Sequence, residues 1–174
     1  VLIGKKWSNK DLYLDLHEQI KKNDISIVTP FVDPAIEVAA KLKKEDKNLY
    51  VPTCSEEICH VMFDKILSEA WIMKNGIPIP PSFSQSDALK FPVIVKPRKG
   101  SASKGIKIIE NAEDWEKLED KGQYVIQRYI ANREEYTVDC FVSSKGEMIS
   151  IVPRIRLQTA GGEVINSQTC RDPI

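Results

Sequence analysis

Residues 91–106 hold the densest group of side chains that could do chemistry. Glycines at positions 100 and 105 enclose small hydroxyl residues and a lysine. Glycine lets backbone N–H groups approach an anion closely, and nearby cations neutralise it, so this loop suits a polyphosphate. Lys96 ends an alternating Val-Ile-Val-Lys strand directly before the loop, which places a further cation beside the same phosphates.

This loop does not match the two common phosphate-binding motifs. The Gly-x-x-x-x-Gly run is followed by Ile106 and Lys107 rather than by Lys-Ser/Thr, so it is not a P-loop. The dinucleotide fingerprint Gly-x-Gly-x-x-Gly is absent as well. A solvated hairpin tip without a ligand is the alternative, and Lys96 favours phosphate binding over it.

Two arginines further along could also meet a phosphate. Arg154 and Arg156 lie on one face of a predicted strand, because side chains alternate between its faces. A guanidinium group can bind a phosphate through two parallel hydrogen bonds. The alternative is that both form plain ion pairs with Glu135, Asp139 or Glu147.

The elements before residue 55 alternate between helix and strand. We expect a helix over 10–22, a strand over 25–29, a helix with Asp33 as its N-cap and Pro34 at its first position, and a strand over 49–51. This alternation is typical of an α/β fold with an open parallel sheet.

A single longer helix is predicted to begin at Ser55 and to end at Gly76, with Ile58, Met62 and Ile66 on one side. The proline-rich residues 77–81 cannot continue it, because each proline removes a donor and favours extended conformations before it. A boundary between two lobes is predicted there.

After residue 90 the pattern changes to strands. The expected elements are a hairpin over 93–96 and 106–109, a short helix from Asn111 to about 120, and strands at 123–129, 135–142, 147–157 and 163–169. We interpret this part as an α+β meander of antiparallel strands. Pro153 predicts an edge or a bulge in the third of these four strands.

The composition limits the class of protein. The 174 residues are 42% hydrophobic and 29% charged, as in a globular domain. Because 25 Lys and Arg balance 25 Asp and Glu, no overall field recruits nucleic acid or anionic lipid. The 4 cysteines form no Cys-x-x-Cys pair, which disfavours a zinc site and favours reduced thiols in the cytoplasm. No apolar run reaches the roughly 20 residues that span a bilayer.

The order of these motifs resembles the ATP-grasp superfamily, and within it the carbamoyl-phosphate-synthase-like, carboxylate–amine ligase branch. The resemblance rests on Asp64-Lys65, Gly76-Ile77-Pro78-Ile79-Pro80, Val-Ile-Val-Lys-Pro, Gly-Ser-Ala-Ser-Lys-Gly, Gln127-Arg128-Tyr129-Ile130, Glu135-Tyr136-Thr137-Val138-Asp139, Val152-Pro153-Arg154-Ile155-Arg156-Leu157 and Gly162-Glu163. It implies that residues 55–174 are the N-terminal portion of an ATP-grasp domain. Residues 1–54 would be the C-terminal part of a Rossmann-like pre-ATP-grasp domain.

The resemblance also implies roles for single residues in nucleotide binding. Those expected at the phosphates are Lys65, Lys96 and a flexible lid of Ser101, Ser103, Lys104 and Gly105. The adenine edge would be read at 127–130, with the Arg128 carbonyl accepting and the Ile130 N–H donating. Gln127 stands where the family commonly has Glu. Glu135 would bind the ribose, with Glu134 as the competing choice.

The implied reaction joins a carboxylate to an amine. ATP would phosphorylate the carboxylate, an amine would capture the acyl phosphate, and Arg154 and Arg156 would face the reacting group. The family holds Mg²⁺ with an acid and a Glu-x-Asn that does not occur here, so these ligands are expected beyond residue 174. The start at Val1 without Met and the end at Ile174 indicate a piece of a longer chain.

Several expectations about partners and activity follow from the resemblance. This piece should bind ATP weakly and show negligible turnover. Its partners are ATP and small carboxylate and amine substrates, without nucleic acid or membrane, and a homodimer is left open. The alternative function is a non-catalytic, nucleotide-binding regulatory module.

Overall fold

The computed structural model describes residue 5 and residues 9–171. The chain divides into two compact units between Pro78 and Ile79, within the proline-rich segment that was predicted as a lobe boundary. Residues 1–4, whose sequence is typical of a strand end and a turn, lie outside the described residues. The separate assignment of 1–54 and 55–174 to two family domains stays a prediction.

The first unit contains four helices among its described residues: α1 (Leu12–Lys22), α2 (Asp33–Glu45), α3 (Glu56–Met62) and α4 (Lys65–Lys74). Its core is formed by apolar residues of α1 and α2 and of the segment that follows α2, namely Ile20, Ala39, Leu42, Leu49 and Val51. The two strands predicted here are reduced to one parallel bridge between Ile27 and Tyr50. Ile27 is 61% exposed, so its side of the segment has no apolar layer to extend the pairing.

Helix α2 begins one residue earlier than predicted. Asp33 is its first residue and Val32 is the N-cap, with no side-chain capping bond. The prediction of Asp33 as N-cap is therefore wrong. Its carboxylate instead lies in the first turn, where it is attracted by the positive end of the helix dipole.

The single helix predicted from Ser55 to Gly76 is two helices. Ser55 caps α3, and its Oγ accepts from the Ile58 N–H at 3.3 Å. Asp64 then caps α4 by accepting from the N–H groups of Ile66 and Leu67 at 3.1 and 3.3 Å. The prediction was wrong because a second N-cap interrupts an apolar pattern that continues on both sides of it.

The second unit holds a four-stranded antiparallel sheet, ordered β1–β4–β2–β3. Its strands are β1 (Ser82–Phe83), β2 (Val93–Pro97), β3 (Lys107–Ile109) and β4 (Tyr124–Arg128), with helix α5 (Ala112–Glu116) and a 3₁₀ turn (Lys121–Gln123) between β3 and β4. Asn111 is the N-cap at the predicted start of α5, but the helix ends at Glu116 rather than near residue 120. The core beneath the sheet combines Val93, Val95, Ile109 and Ile126 with Trp115 and Leu118.

A second sheet is a meander of β5 (Tyr136–Val142), β6 (Met148–Ala160) and β7 (Glu163–Thr169). The prediction of one continuous meander is wrong, since β4 lies between β1 and β2, where Val125 and Ile126 are buried. Pro153 lies in the central strand rather than at an edge. Its carbonyl accepts from the Cys170 N–H at 3.0 Å, just past the end of β7, so the missing proline N–H interrupts no regular ladder.

Candidate functional site

Strand β2 positions Lys96 by alternation. Val93 and Val95 are fully buried on one face, whereas Lys96 is half-buried on the other. On the neighbouring strand Gln127 pairs with Ile94, so its side chain shares the face of Lys96. The Lys96 ammonium donates to the Gln127 side-chain oxygen at 2.7 Å. The structure therefore brings together two residues that the sequence placed 31 positions apart.

Gln127 is a buried polar residue, with an exposed fraction of 6%. A buried amide normally needs hydrogen-bond partners, and the Lys96 ammonium is one of them. A glutamine here accepts the bond that a glutamate would accept, without adding a buried negative charge. The departure from the family's usual residue therefore keeps the lysine in place.

The glycine-rich loop follows directly after β2. Gly100 and Gly105 adopt φ values of +119° and +74°. A Cβ at Gly105 would come within 2.9 Å of the Pro97 ring, so glycine is required at this close approach. The four residues predicted to cover the phosphates, Ser101, Ser103, Lys104 and Gly105, are all exposed. They are accessible to a ligand that approaches the end of β2.

The end of β4 offers a backbone acceptor. The Arg128 N–H donates to the Pro81 carbonyl at 2.8 Å. Pro81 cannot return this bond because proline has no N–H, and the same holds for Pro80 beside it. The Arg128 carbonyl thus faces a segment without backbone donors. The contact of this carbonyl with an adenine amine stays a prediction.

A cluster of charges surrounds Glu135. Its carboxylate accepts from the Arg133 Nε at 2.9 Å and forms an ion pair with Arg156 at 3.2 Å. Glu134 instead accepts from the Tyr136 hydroxyl at 3.1 Å. Of the two acids considered for ribose binding, Glu135 is therefore the one that joins the arginines.

An open cavity of about 450 Å³ lies beside this cluster, lined by residues 132–135 and 155–159. The Arg156 side chain also donates to the Gly162 carbonyl at 2.7 Å. Its Nε is buried without a hydrogen-bond partner. A buried donor of this kind is costly unless a partner meets it, so the arginine is suited to receive one more acceptor.

The Arg154 guanidinium forms a 2.6 Å ion pair with Asp139 across β5 and β6. This hydrogen bond raises the pKa of Arg154, so the arginine stays charged throughout the neutral range. Both arginines thus form the plain ion pairs that were the alternative to phosphate binding. Their carboxylate partners would have to give way to a phosphate.

Lys65 is the first residue of α4 and is half-buried. It belongs to the first unit, and its contact with a phosphate stays a prediction. The neighbouring Asp64, only 1% exposed, is the N-cap of α4, a structural role that the prediction of a single helix missed. The signal was present, because an aspartate directly before a helix-forming run is a favoured N-cap.

The contact that Gly162 makes with the glycine-rich loop was also missed. The Gly-Gly pair predicts a turn, but its contact with the loop at 102–103 joins positions about sixty apart in the chain. No local pattern could have shown it.

The described residues are residue 5 and residues 9–171. Within these residues, no three His, Cys, Asp or Glu side chains form a group that could hold a metal ion. None of the helices there is long and apolar enough to cross a membrane. The described residues therefore do not fit a complete Mg²⁺ site, and we assign no step to a metal.

Comparison with known proteins identifies the family. The family model described as ATP-grasp domain matches residues 62–170, more than half of the chain. The chain therefore belongs to the ATP-grasp domain family.

Curated relatives support this. A 5-formaminoimidazole-4-carboxamide-1-(beta)-D-ribofuranosyl 5'-monophosphate synthetase of Methanothrix thermoacetophila is 30% identical over 90 residues, covering 51% of this chain and 25% of that protein. A D-alanine–D-alanine ligase of Petrotoga mobilis is 32% identical over 92 residues, covering 47% and 30%. The chain thus spans a quarter to a third of the length of these relatives.

Solved structures show the same fold. The biotin carboxylase domain of the 2-oxoglutarate carboxylase of Hydrogenobacter thermophilus, a dimer with MgADP, ADP and bicarbonate, matches with a TM-score of 0.75 at 17% identity. This match covers 94% of the chain and 41% of that structure. The structural match covers more of the chain than the family model does, and it shows similarity of fold alone.

Proposed function

We propose that this protein is an ATP-dependent carboxylate–amine ligase of the carbamoyl-phosphate-synthase-like kind, to which this chain contributes most of the nucleotide pocket. Membership of the ATP-grasp family and the ligases among its relatives support the class. The observation that carries the proposal is Lys96, fixed by Gln127 at 2.7 Å on a rigid sheet, directly before the glycine-rich loop.

In this proposal the nucleotide follows the second unit from the end of β4 to the loop. The Arg128 carbonyl accepts from the adenine amine, and the Ile130 N–H donates to a ring nitrogen. Glu135 binds the ribose hydroxyls. Lys96 and the loop neutralise the phosphates.

The proposed reaction has two steps. A carboxylate oxygen attacks the γ-phosphorus and the bond to the ADP oxygen breaks, with the electron pair leaving on ADP. The amine nitrogen then attacks the acyl carbon, loses a proton and displaces phosphate. Arg154 and Arg156 would stabilise the charge on the transferring group, as guanidinium groups do in phosphoryl transfer.

The remaining parts of the proposal concern organisation. We assign residues 1–54 to a Rossmann-like domain, supported by the α1 and α2 helices and the parallel bridge from Ile27 to Tyr50. Residues 55–174 belong to the ATP-grasp domain in this assignment. The four free cysteines support a cytoplasmic location, and the dimeric biotin carboxylase domain supports a homodimer. Mg²⁺ would accompany ATP.

Calorimetric titration with a non-hydrolysable ATP analogue and Mg²⁺ tests the nucleotide site. Lys96→Ala should weaken binding at least tenfold, because one charge-assisted contact to phosphate is worth about 1.5–3 kcal/mol. Lys107→Ala is the matched control, since Lys107 is exposed on the neighbouring strand β3 and pairs with Val95, on the opposite face from Lys96.

The control should bind like the wild type. Equal affinities in all three proteins would contradict the assignment of Lys96. Absence of binding by the folded wild type would contradict a nucleotide pocket in this chain. A test of the reaction follows with the longer parent protein, in which phosphate release should depend on both a carboxylate and an amine.

A further inference from the structure

The turn between β6 and β7 touches the glycine-rich loop. A Cβ built on Gly162 would come within 2.9 Å of both the Ala102 carbonyl carbon and the Ser103 Cβ, and closer still to the Ser103 hydroxyl oxygen. Real Cβ atoms do not approach other atoms so closely. The turn and the loop are therefore in direct contact, with no room for a methyl group between them.

The loop needs support at this point. Ala102 and Ser103 have φ values of +54° and +55°. This left-handed conformation is unfavourable for residues with a side chain, and it persists where the surroundings hold it. The same two residues meet Gly162.

The turn is itself held in place by Arg156. The Gly162 carbonyl accepts from one Arg156 nitrogen at 2.7 Å, and another Arg156 nitrogen binds Glu135 at 3.2 Å. A continuous series of contacts thus leads from Glu135 through Arg156 and Gly162 to Ser103. It connects the acid assigned to the ribose with the loop assigned to the phosphates.

We propose that Gly162 is a positioning residue that holds the loop at 100–105 in the conformation that receives the phosphates. Glycine is needed for two reasons, its φ of +83° and the close approach of the loop. The ligand in this inference rests on the proposed function. The conformation of the loop does not, and it can be tested without a nucleotide.

Limited trypsin digestion measures release of the loop, since Lys99 and Lys104 lie in it and are exposed. Gly162→Ala should speed cleavage there by about tenfold, because cleavage follows the population of the open loop. Two controls separate this effect from backbone strain. Gly146, in the β5–β6 turn, has the same φ of +83° as Gly162. Gly161 lies beside Gly162 in the β6–β7 turn and has a φ of +57°. A methyl group added at either control position, by Gly146→Ala or Gly161→Ala, meets open space.

Both controls should be cleaved at the wild-type rate. Equal cleavage in the three variants would overturn the proposal, because strain alone would then explain the result. Ser103→Gly provides a second test, since it removes two of the three crowded atoms. Gly162→Ala should accelerate cleavage less in that background than in the wild type, and an equal acceleration would also overturn the proposal.

Binding supplies a readout that general destabilisation would not move. Gly162→Ala should weaken a non-hydrolysable ATP analogue about tenfold and leave adenosine affinity unchanged, because only the phosphates meet the loop. Equal loss for both ligands would overturn the positioning role. If the wild type binds neither ligand, the proposed function fails, and the digestion still decides whether Gly162 holds the loop.

Discussion

The two sheets of the second unit position their polar residues by different means. In the first sheet, Val93 and Val95 are fully buried beneath Lys96 and Gln127. In the second, no residue of the described strands β5, β6 and β7 is buried. Arg154 and Arg156 are held there by exposed or half-buried carboxylates instead.

This contrast between the two sheets indicates which part of the site is fixed before a ligand binds. A close-packed core fixes a strand and the side chains it carries. Exposed ion pairs contribute little to stability and can be exchanged for other anions. We therefore expect Lys96 to keep its place with and without a ligand, and Arg154 and Arg156 to change partners.

The largest expected effect is on the core of the first sheet. Val95→Ala should lower the free energy of unfolding of the second unit by roughly 2–3 kcal/mol, from lost burial and the cavity left behind. Urea unfolding followed by circular dichroism and by tryptophan fluorescence would measure it.

The matched control lies in the second sheet. Ile151 is 57% exposed on β6, so Ile151→Ala should change the free energy of unfolding by no more than about 0.5 kcal/mol. A loss as large as that of Val95→Ala would show that the second sheet also depends on an apolar layer.

The contrast between the sheets could be predicted only in part. Strands β2, β5 and β7 follow from alternation and turn residues, and the order of motifs along the chain pointed to the family. Strand order could not be predicted, because the pairing of β4 with β2 depends on packing between residues far apart in the chain, such as Val95 and Ile126. Such long-range packing leaves no local signal.

The candidate site shows the same limit. Lys96 and its loop were evident, since they are adjacent in the chain. The bond from Lys96 to Gln127 and the contact from Gly162 to Ser103 arise only when distant strands meet. The role of Asp64 as an N-cap was overlooked for another reason, because the apolar spacing before and after it continues a single helical pattern.

The second prediction concerns the buried polar contact of the first sheet. Gln127→Leu removes the oxygen that accepts from Lys96, and it should lower stability by about 1–3 kcal/mol. It should also weaken the ATP analogue, because the ammonium loses a group that orients it. Gln127→Glu is the control, since it keeps an acceptor. If the leucine variant were as stable as the wild type and bound nucleotide equally well, Gln127 would not position Lys96.

The third prediction extends the contrast to a polar contact of the first unit. Burial, together with a hydrogen bond to Glu45, raises the pKa of Tyr13 to about 12. The pKa in the folded state lies above the unfolded value of about 10. The contribution of protonated Tyr13 to the free energy of unfolding is therefore complete below pH 10 and is lost as the pH rises through 12. Absorbance titration of the phenolate should show one tyrosine ionising late. Tyr13→Phe should remove that step; its persistence would assign it to another tyrosine.

The smallest expected effect is on the ion pair of the second sheet. Asp139→Asn removes the carboxylate that binds Arg154 at 2.6 Å, but Asp139 is 56% exposed in its side chain. The urea midpoint should therefore stay close to that of the wild type, and added salt should reduce what difference remains. Glu113→Gln is the control, because it breaks a more exposed pair with Lys117, the C-cap of helix α5, at 2.8 Å. Similar small shifts of the urea midpoint in both variants would indicate that the ion pairs of the second sheet orient its side chains but do not stabilise the sheet. A shift for Asp139→Asn as large as that for Val95→Ala would mean that this pair replaces a core, and the distinction between the two sheets would fail.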